Sequence, residues 1–419
     1  MNAQVRPGYR LTDIGVYPIE WDVKKLGEIT TLMTNGFVGT ATSAYVKSDD
    51  GVLYIQGFNV EPNSFNYRGI KRVSATFHTQ NQKSCLRTGD LLTIQTGDIG
   101  TTTIVPPSLA GANCHALVIS RLDLRRSSPE FYCQYFNSDK GRAAFKVIET
   151  GTTMKHLNVG DMVRLLVPSP PLDEQQAIAR ALFDIDALIA GLDQLIAKKS
   201  DIKQATMQQL LTGQQRLPGF SGEWKIKRLG EIGVFLKGSG VRRDQSLSGD
   251  LPCIRYGEIY TIHNDYIREF KSYISVAVSK DATLIECGDI MFAGSGETKE
   301  DIGKCVSFID DIEAYAGGDI VILRPKNVDS LFLGYALNTP RIIRQKASRG
   351  QGDAVVHISA NALATIEVLM PNQAEQTAIA TILSDMDSEL ATLETRAGKA
   401  RQLKQGMMQE LLTGRIRLT

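Results

Sequence analysis

The chain of 419 residues predicts an α+β protein: two similar, mostly β domains, each followed by one long helix, with the helices pairing as a coiled coil. Three observations predict it. The helical stretch from Glu174 to Gly213 occurs again, without a gap, from Glu375 to Gly414. Both copies carry apolar residues at heptad spacing. The same order of short β-type runs precedes each copy. Repetition of this kind sets an architecture before any single motif does.

The helices come first in the argument. Ile178, Ile185 and Leu192 are spaced by sevens, with Leu182, Ile189 and Ile196 between them. In the second copy Ile379, Met386, Leu393, Ala400 and Met407 repeat likewise, with Leu383, Leu390, Ala397 and Leu403 between. A 3.5-residue apolar repeat makes a narrow seam that asks for a partner helix. Pro171 and Pro371 precede the copies, while Gly213 and Gly414 follow the last apolar residue, as start and stop signals should. Each helix would form a rod of roughly 57 Å at ~1.5 Å per residue. The seam set is Ile178, Leu182, Ile185, Ile189, Leu192, Ile196, Ile379, Leu383, Met386, Leu390, Leu393 and Leu403. The alternative is that each helix packs on its own domain.

The repeat covers nearly the whole chain. Trp21 and Leu26-Gly27-Glu28-Ile29 match Trp224 and Leu229-Gly230-Glu231-Ile232. Both tryptophans read as packing anchors at a domain entrance. The domain plan is a joining segment 1–26, a domain 27–167, a helix 172–213, a second joining segment 214–229, a second domain 230–369 and a helix 373–414. Within 27–167 the runs VLYIQGFNV, DLLTIQTG, TTTIVPP and ALVISRL are β-type, broken by Gly, Asn, Asp and Pro. PEFYCQYFNSDKGRAAFKVI is helical. The second domain repeats the order with LPCIRYGEI, GDIMFAG, DIVILRP and the helical SLFLGYALNTPRIIRQKA. Strands this short, so seldom followed by helices, argue against a parallel nucleotide-binding sheet.

Composition excludes several classes. Net charge is +1, so binding of nucleic acid by bulk charge is excluded and any contact must be local. The start lacks a signal-peptide core, and no apolar run approaches the ~18 residues of a membrane span. The six cysteines fit no zinc spacing and read as scattered reduced thiols of a cytoplasmic protein. There is no phosphate-loop, dinucleotide or nucleophile-elbow motif. His156 and His357 share a repeat position; they read as hydrogen-bonded structural residues rather than ligands.

What remains is a binding inventory in glycine-rich turns. The first domain offers Asn35, Gln56, Asn59, Arg68, Lys71, Gln95, Thr96 and Thr101. The second offers Lys237, Ser239, Arg242, Arg243, Arg255, Tyr256, Lys299 and Arg349. Arg and Lys position a phosphate backbone, while Arg, Asn, Gln, Ser and Thr also read base edges. The scaffolds match but the loops differ, as Asn35-Gly36-Phe37-Val38-Gly39 against Lys237-Gly238-Ser239-Gly240-Val241 shows. That pattern suggests two reading heads for two targets. A protein-interaction scaffold with a coiled-coil spacer is the alternative from another class.

The plan, with P-L-x-E-Q-x-A-I-A at Pro171–Ala179 and L-L-T-G before R-x-x-L, resembles the specificity subunit of Type I restriction–modification systems. GSGVRRDQSLSGDLPCIRYGEIY and GDIMFAGSGETKEDIGK look like a target-recognition domain of that family. The resemblance covers essentially the whole chain. It implies two target-recognition domains separated by two antiparallel long helices, a pseudo-twofold internal repeat, and no catalytic activity or cofactor of its own. It implies double-stranded DNA as ligand, each domain reading one half of a bipartite asymmetric site. The partners implied are two adenine-methylating modification subunits, docked on the helices, and restriction (translocase) subunits. S-adenosylmethionine, ATP and Mg2+ are expected on those partners. The rod suits a spacer of at least one DNA turn, about 34–36 Å.

Overall fold

The computed structural model describes residues 6–152, 155–352 and 355–418. The chain folds as two compact units, Met1–Asp193 with Thr395–Thr419, and Gln194–Glu394. Each long helix, Leu172–Leu210 and Gln373–Leu411, is therefore divided between the units. Each unit owns the first part of one helix and the last part of the other.

Inside each unit the two helix segments run antiparallel. In the first, Asp186 meets Lys404 at 2.5 Å, Asp193 meets Arg401, and Glu174 meets Arg417 at 2.6 Å. In the second, Lys199 meets Glu389 at 2.8 Å, Lys203 meets Asp387 at 2.7 Å, and Arg216 meets Glu375 at 2.6 Å. Partner numbers fall as the first helix advances, which only antiparallel pairing gives. Two of the three pairs in each unit repeat 201 residues apart with the helices exchanged: Asp186–Lys404 with Asp387–Lys203, and Glu174–Arg417 with Glu375–Arg216.

The seam is uneven. Ile178, Leu182 and Ile185, like Ile379, Leu383 and Leu393, are buried. Ile189, Leu192, Ile196, Met386 and Leu390 are half-buried. Burial is deepest where a domain also covers the helix: Ile178 and Leu182 share a core with Phe131 and Tyr132, and Ile379 and Leu383 share one with Phe332 and Tyr335. Leu403 corrects the expectation, since it is 57% exposed. Counting by sevens from Leu383, Leu390 and Ala397 reaches Lys404, not Leu403. Lys404 takes the inward position by pairing with Asp186, and Leu403 lies a residue, or about 100°, off the seam.

Each domain is built mainly on two small sheets with helices, beside a short two-stranded ladder. In the first unit the main sheet has the order Thr102–Ile104, Leu91–Ile94, Leu117–Leu122, Thr30–Asn35, all antiparallel. The second unit repeats it with Cys305–Ser307, Ile290–Ala293, Ile320–Pro325 and Gly233–Lys237. The central strands are buried on both faces, while the edge strands Thr30–Asn35 and Gly233–Lys237 are partly exposed. Leu91 and Val118 face the helices, while Leu92, Ile94, Leu117 and Ile119 face the smaller sheet. That two-sided burial explains runs such as Leu91-Leu92-Thr93-Ile94, in which apolar residues follow one another. The smaller sheet sets Val52–Ile55 between Lys71–Val73 and the parallel Asn113–Cys114. Its counterpart centres on Leu251–Ile254 and Ala314–Ala316.

The helical patches differ from expectation by a break. PEFYCQYFNSDKGRAAFKVI forms two helices, Pro129–Asn137 and Asp139–Ile148, because the Ser138 hydroxyl caps the second by accepting from the Gly141 N–H at 3.2 Å. The second half breaks likewise between Ser330–Leu337 and Pro340–Ala347, where Pro340 supplies the start signal. LPCIRYGEI is a strand, Leu251–Ile254, followed by a short helix, Tyr256–Thr261.

The joining segments close each unit. Asp22–Lys25 pairs with Leu166–Ser169, and Lys225–Arg228 pairs with Glu367–Met370. Trp21 is fully buried, and its indole N–H donates to Glu174 at 2.9 Å; Trp224 packs half-buried on the second core. Among the described residues, no helix is long and apolar enough to cross a membrane.

Candidate nucleic-acid interface

The register of the first domain gathers most of its sequence candidates at one edge. Asn35 lies opposite Val118 and Ile94 opposite Leu117, so Asn35 and Gln95 emerge at the same end of the main sheet. Phe37 bridges to His115, whose N–H donates to the Ile55 carbonyl at 2.8 Å, and Gln56 follows Ile55. Lys71 lies opposite Tyr54 on the neighbouring strand. Asn35, Gln56, Lys71, Gln95 and the exposed Thr96 thus share one rim.

Asn59 is not on that surface. It is fully buried, its carbonyl accepting the Gln56 N–H at 3.0 Å and its amide donating to the Asn66 and Arg68 carbonyls. It shapes the turn and holds the loop that exposes Arg68. Thr101 is also buried; its hydroxyl donates to Asp98 at 2.5 Å and accepts from Arg142 at 2.7 Å. Both side chains have spent their hydrogen-bonding capacity inside the domain. The amide oxygens of Asn35 and Gln95 are buried without a partner.

The second domain builds the same rim from other chemistry. Lys237 lies opposite Val321, in the place of Asn35 opposite Val118. Arg255 follows Ile254 as Gln56 follows Ile55, and its N–H donates to Glu258 at 2.9 Å. Gly317 donates to the Ile254 carbonyl where His115 donates to Ile55. Ser239 donates to the Asp281 carbonyl at 2.7 Å. Arg242, Arg243 and Tyr256 are exposed beside them. Val241, just before the two arginines, holds φ +54°. For a β-branched residue this is strained backbone costing on the order of 1–3 kcal/mol, of a kind that clusters at functional loops.

Two candidates stand apart. Lys299 is exposed but flanked by Glu297, Glu300 and Asp301, which cancels its attraction for phosphate. Arg349 is taken up internally, its guanidinium donating to Thr365 at 2.7 Å and to the Gln345 carbonyl at 2.9 Å.

Electrostatics keep the rims' supports unreactive. Burial lowers the pKa of His115, which sits 3.0 Å from the Tyr54 hydroxyl. Burial pushes the Cys305 thiol up to about 11 and Cys253 up to about 12. The paired histidines are hydrogen-bonded, His156 to Asn158 at 3.1 Å and His357 to Ser295 at 2.9 Å. Among the described residues, no cluster of His, Cys, Asp and Glu could hold a metal ion.

Sequence reasoning missed the supports beneath the rims. Arg121 grips the buried Asp90 through two bonds of 2.7 Å, and Arg324 grips Asp289 at 2.9 and 2.8 Å. The matching Gly89-Asp90 and Gly288-Asp289 pairs were the available signal. Asp186 accepts from Gln134 at 2.9 Å, and Asp387 accepts from the Tyr335 hydroxyl at 2.6 Å. These bonds fix each domain to the helix segments of its own unit.

Two copies of one plan with different rims are thus established from geometry. The family profile described as Type I restriction modification DNA specificity domain matches residues 18–199 and again 221–405. The chain belongs to that family. Among relatives of this specificity chain is the Type I restriction enzyme MjaVIII specificity subunit of Methanocaldococcus jannaschii. It is 22% identical over 308 residues, covering 68% of this chain and 70% of that one. The fold matches the crystal structure of the Type-I restriction-modification system S subunit from M. genitalium. The TM-score is 0.60 at 16% identity, over 97% of this chain and 98% of that chain. It also matches a chain from a study of complex assembly and conformational transition of the type I R-M system, with TM-score 0.52, 17% identity, and 96% and 99% covered.

Proposed function

We propose that this chain is the non-catalytic sequence-reading subunit of a Type I restriction–modification enzyme. Each rim reads one half of a bipartite, asymmetric DNA site. The helix pair sets the gap between half-sites and docks two modification subunits, which bring S-adenosylmethionine and methylate adenine; restriction subunits bring ATP and Mg2+. The observation that carries the reading is the exchange of chemistry at equivalent rim positions, Asn35 and Gln56 against Lys237 and Arg255. One scaffold with two donor–acceptor patterns suits two different base sequences. The near-neutral net charge fits a clamp in which partners supply part of the phosphate contact.

Co-expression with the cognate modification subunits is expected to give adenine methylation at one split motif, read by methylome sequencing. Replacing residues 27–167 with another such domain is expected to change one half of the motif only. An unchanged motif would defeat the reading.

A further inference from the structure

The turn that follows the central strand of each smaller sheet is built the same way in both units. Gln56 and Arg255 are the residues before the turn, and each donates its N–H to the side chain three positions on, Asn59 or Glu258. Both of those side chains are buried, so the turn is held from below. Between them lie one aromatic residue and one glycine, in opposite order: Gly57-Phe58 in the first unit and Tyr256-Gly257 in the second.

The aromatics point out of the fold. Phe58 is 54% exposed and Tyr256 40%. The glycines are not explained by the protein itself. Neither has a positive φ, and a Cβ added at either would meet nothing within 4 Å. A glycine that neither conformation nor internal packing requires keeps the surface free for close approach by something outside the chain. Cations border each turn: Arg68 and Lys71 in the first unit, Arg255, Arg242 and Arg243 in the second. A rigid exposed ring, a bare glycine beside it and flanking cations match what a DNA base step presents, a flat apolar face framed by phosphates.

We propose that Phe58 and Tyr256 are the DNA-inserting residues of the two heads, each stacking at a base step of its half-site while Gly57 or Gly257 lets the sugar–phosphate chain pass close to the turn. This rests on the DNA-reading function above. Insertion at a step unstacks it locally, so these residues read deformability rather than base edges, in addition to the polar readers around them.

The test uses the full chain assembled with its modification subunits, on duplexes carrying the methylated motif. 2-Aminopurine is placed at successive positions of each half-site. Apart from the adenine that the modification subunits flip out for methylation, wild type is expected to brighten one 2-aminopurine position per half-site. Phe58→Ala is expected to abolish that further brightening in the first half-site only, and Tyr256→Ala in the second only. Each should weaken binding roughly tenfold to a hundredfold, the loss expected for one aromatic–base stack. The slope of log affinity against log salt should not change, because no phosphate contact is lost. Phe58→Trp and Tyr256→Phe should retain brightening and affinity. Melting temperatures serve as the folding control, since both rings are already exposed. Wild-type affinity and brightening in both alanine variants would overturn the inference, as would a loss that appears only as a lower salt slope. Absence of motif-specific methylation by the wild-type complex would instead overturn the DNA-reading function itself.

Discussion

Asp387 is where the second domain and both long helices of its unit meet, and removing it should be among the costlier single changes in that unit. Asp387 is 6% exposed. It accepts from Lys203 at 2.7 Å, from the Tyr335 hydroxyl at 2.6 Å and from Arg268 at 3.0 Å. Asp387→Ala takes from the Lys203 ammonium, largely out of water, its closer partner and leaves only Asp265 at 3.7 Å, so the change falls toward the lower end of the about 3–5 kcal/mol that breaking a buried pair costs. The orphaned Tyr335 hydroxyl adds about 1–3 kcal/mol, though not additively. Arg268 is exposed enough to find water and adds little. The expected total is about 4 kcal/mol, a large part of the ~5–15 kcal/mol that holds a domain together. Urea unfolding should be followed by tryptophan fluorescence in a Trp21→Phe background, so that Trp224 alone reports the second unit. A cycle with Tyr335→Phe should show coupling of about 1.5–3 kcal/mol, the worth of a hydrogen bond to a charge. Asp186→Ala is the internal comparison: Asp186 and Lys404 are both about a quarter exposed, so the cost should be smaller. A loss below about 1 kcal/mol for Asp387→Ala, or no coupling to Tyr335, would refute the claim that this node fastens the domain to the helices.

Other outcomes follow from the same geometry. Lys346 is buried, donates among the described residues only to the Gly303 carbonyl at 2.7 Å, and has its pKa lowered first by that burial. The unfolded chain therefore keeps this proton to higher pH than the folded one, so stability rises with pH between the lowered value and the ordinary ~10.4. Lys346→Met should stabilise the second unit by about 1–3 kcal/mol at neutral pH and reduce that alkaline rise; a less stable variant in denaturant titration would contradict this. Leu383→Ala, in the core, should cost about 2–5 kcal/mol, whereas Leu403→Ala should stay within about 0.5 kcal/mol, both read as shifts in urea midpoint. If the helices set the half-site gap, four residues inserted near Leu211–Gly213 add about 6 Å of helix, or roughly two base pairs at ~3.4 Å each. Methylome sequencing should show the motif's gap lengthened, and an unchanged gap would count against the spacer role.

The sequence by itself determined the repeat and the two long helices, because a heptad seam and an exact 201-residue offset need no third dimension to be seen, whereas their antiparallel direction came only from the family resemblance and the observed ion pairs. It also placed most rim residues, since turns rich in glycine and polar side chains announce themselves. Only the tertiary structure decided which of those side chains are free. Asn59 and Thr101 look like readers in one dimension and prove to be internal braces, because the loops they belong to fold back over them. Leu403 looks like a seam residue until Lys404 finds Asp186 and takes the inward place. The division of each helix between two units was equally hidden, as was the meeting of Asp387 with Tyr335. These depend on contacts between residues far apart in the chain, and hydrophobic spacing along one segment carries no information about which distant polar group will satisfy a buried charge.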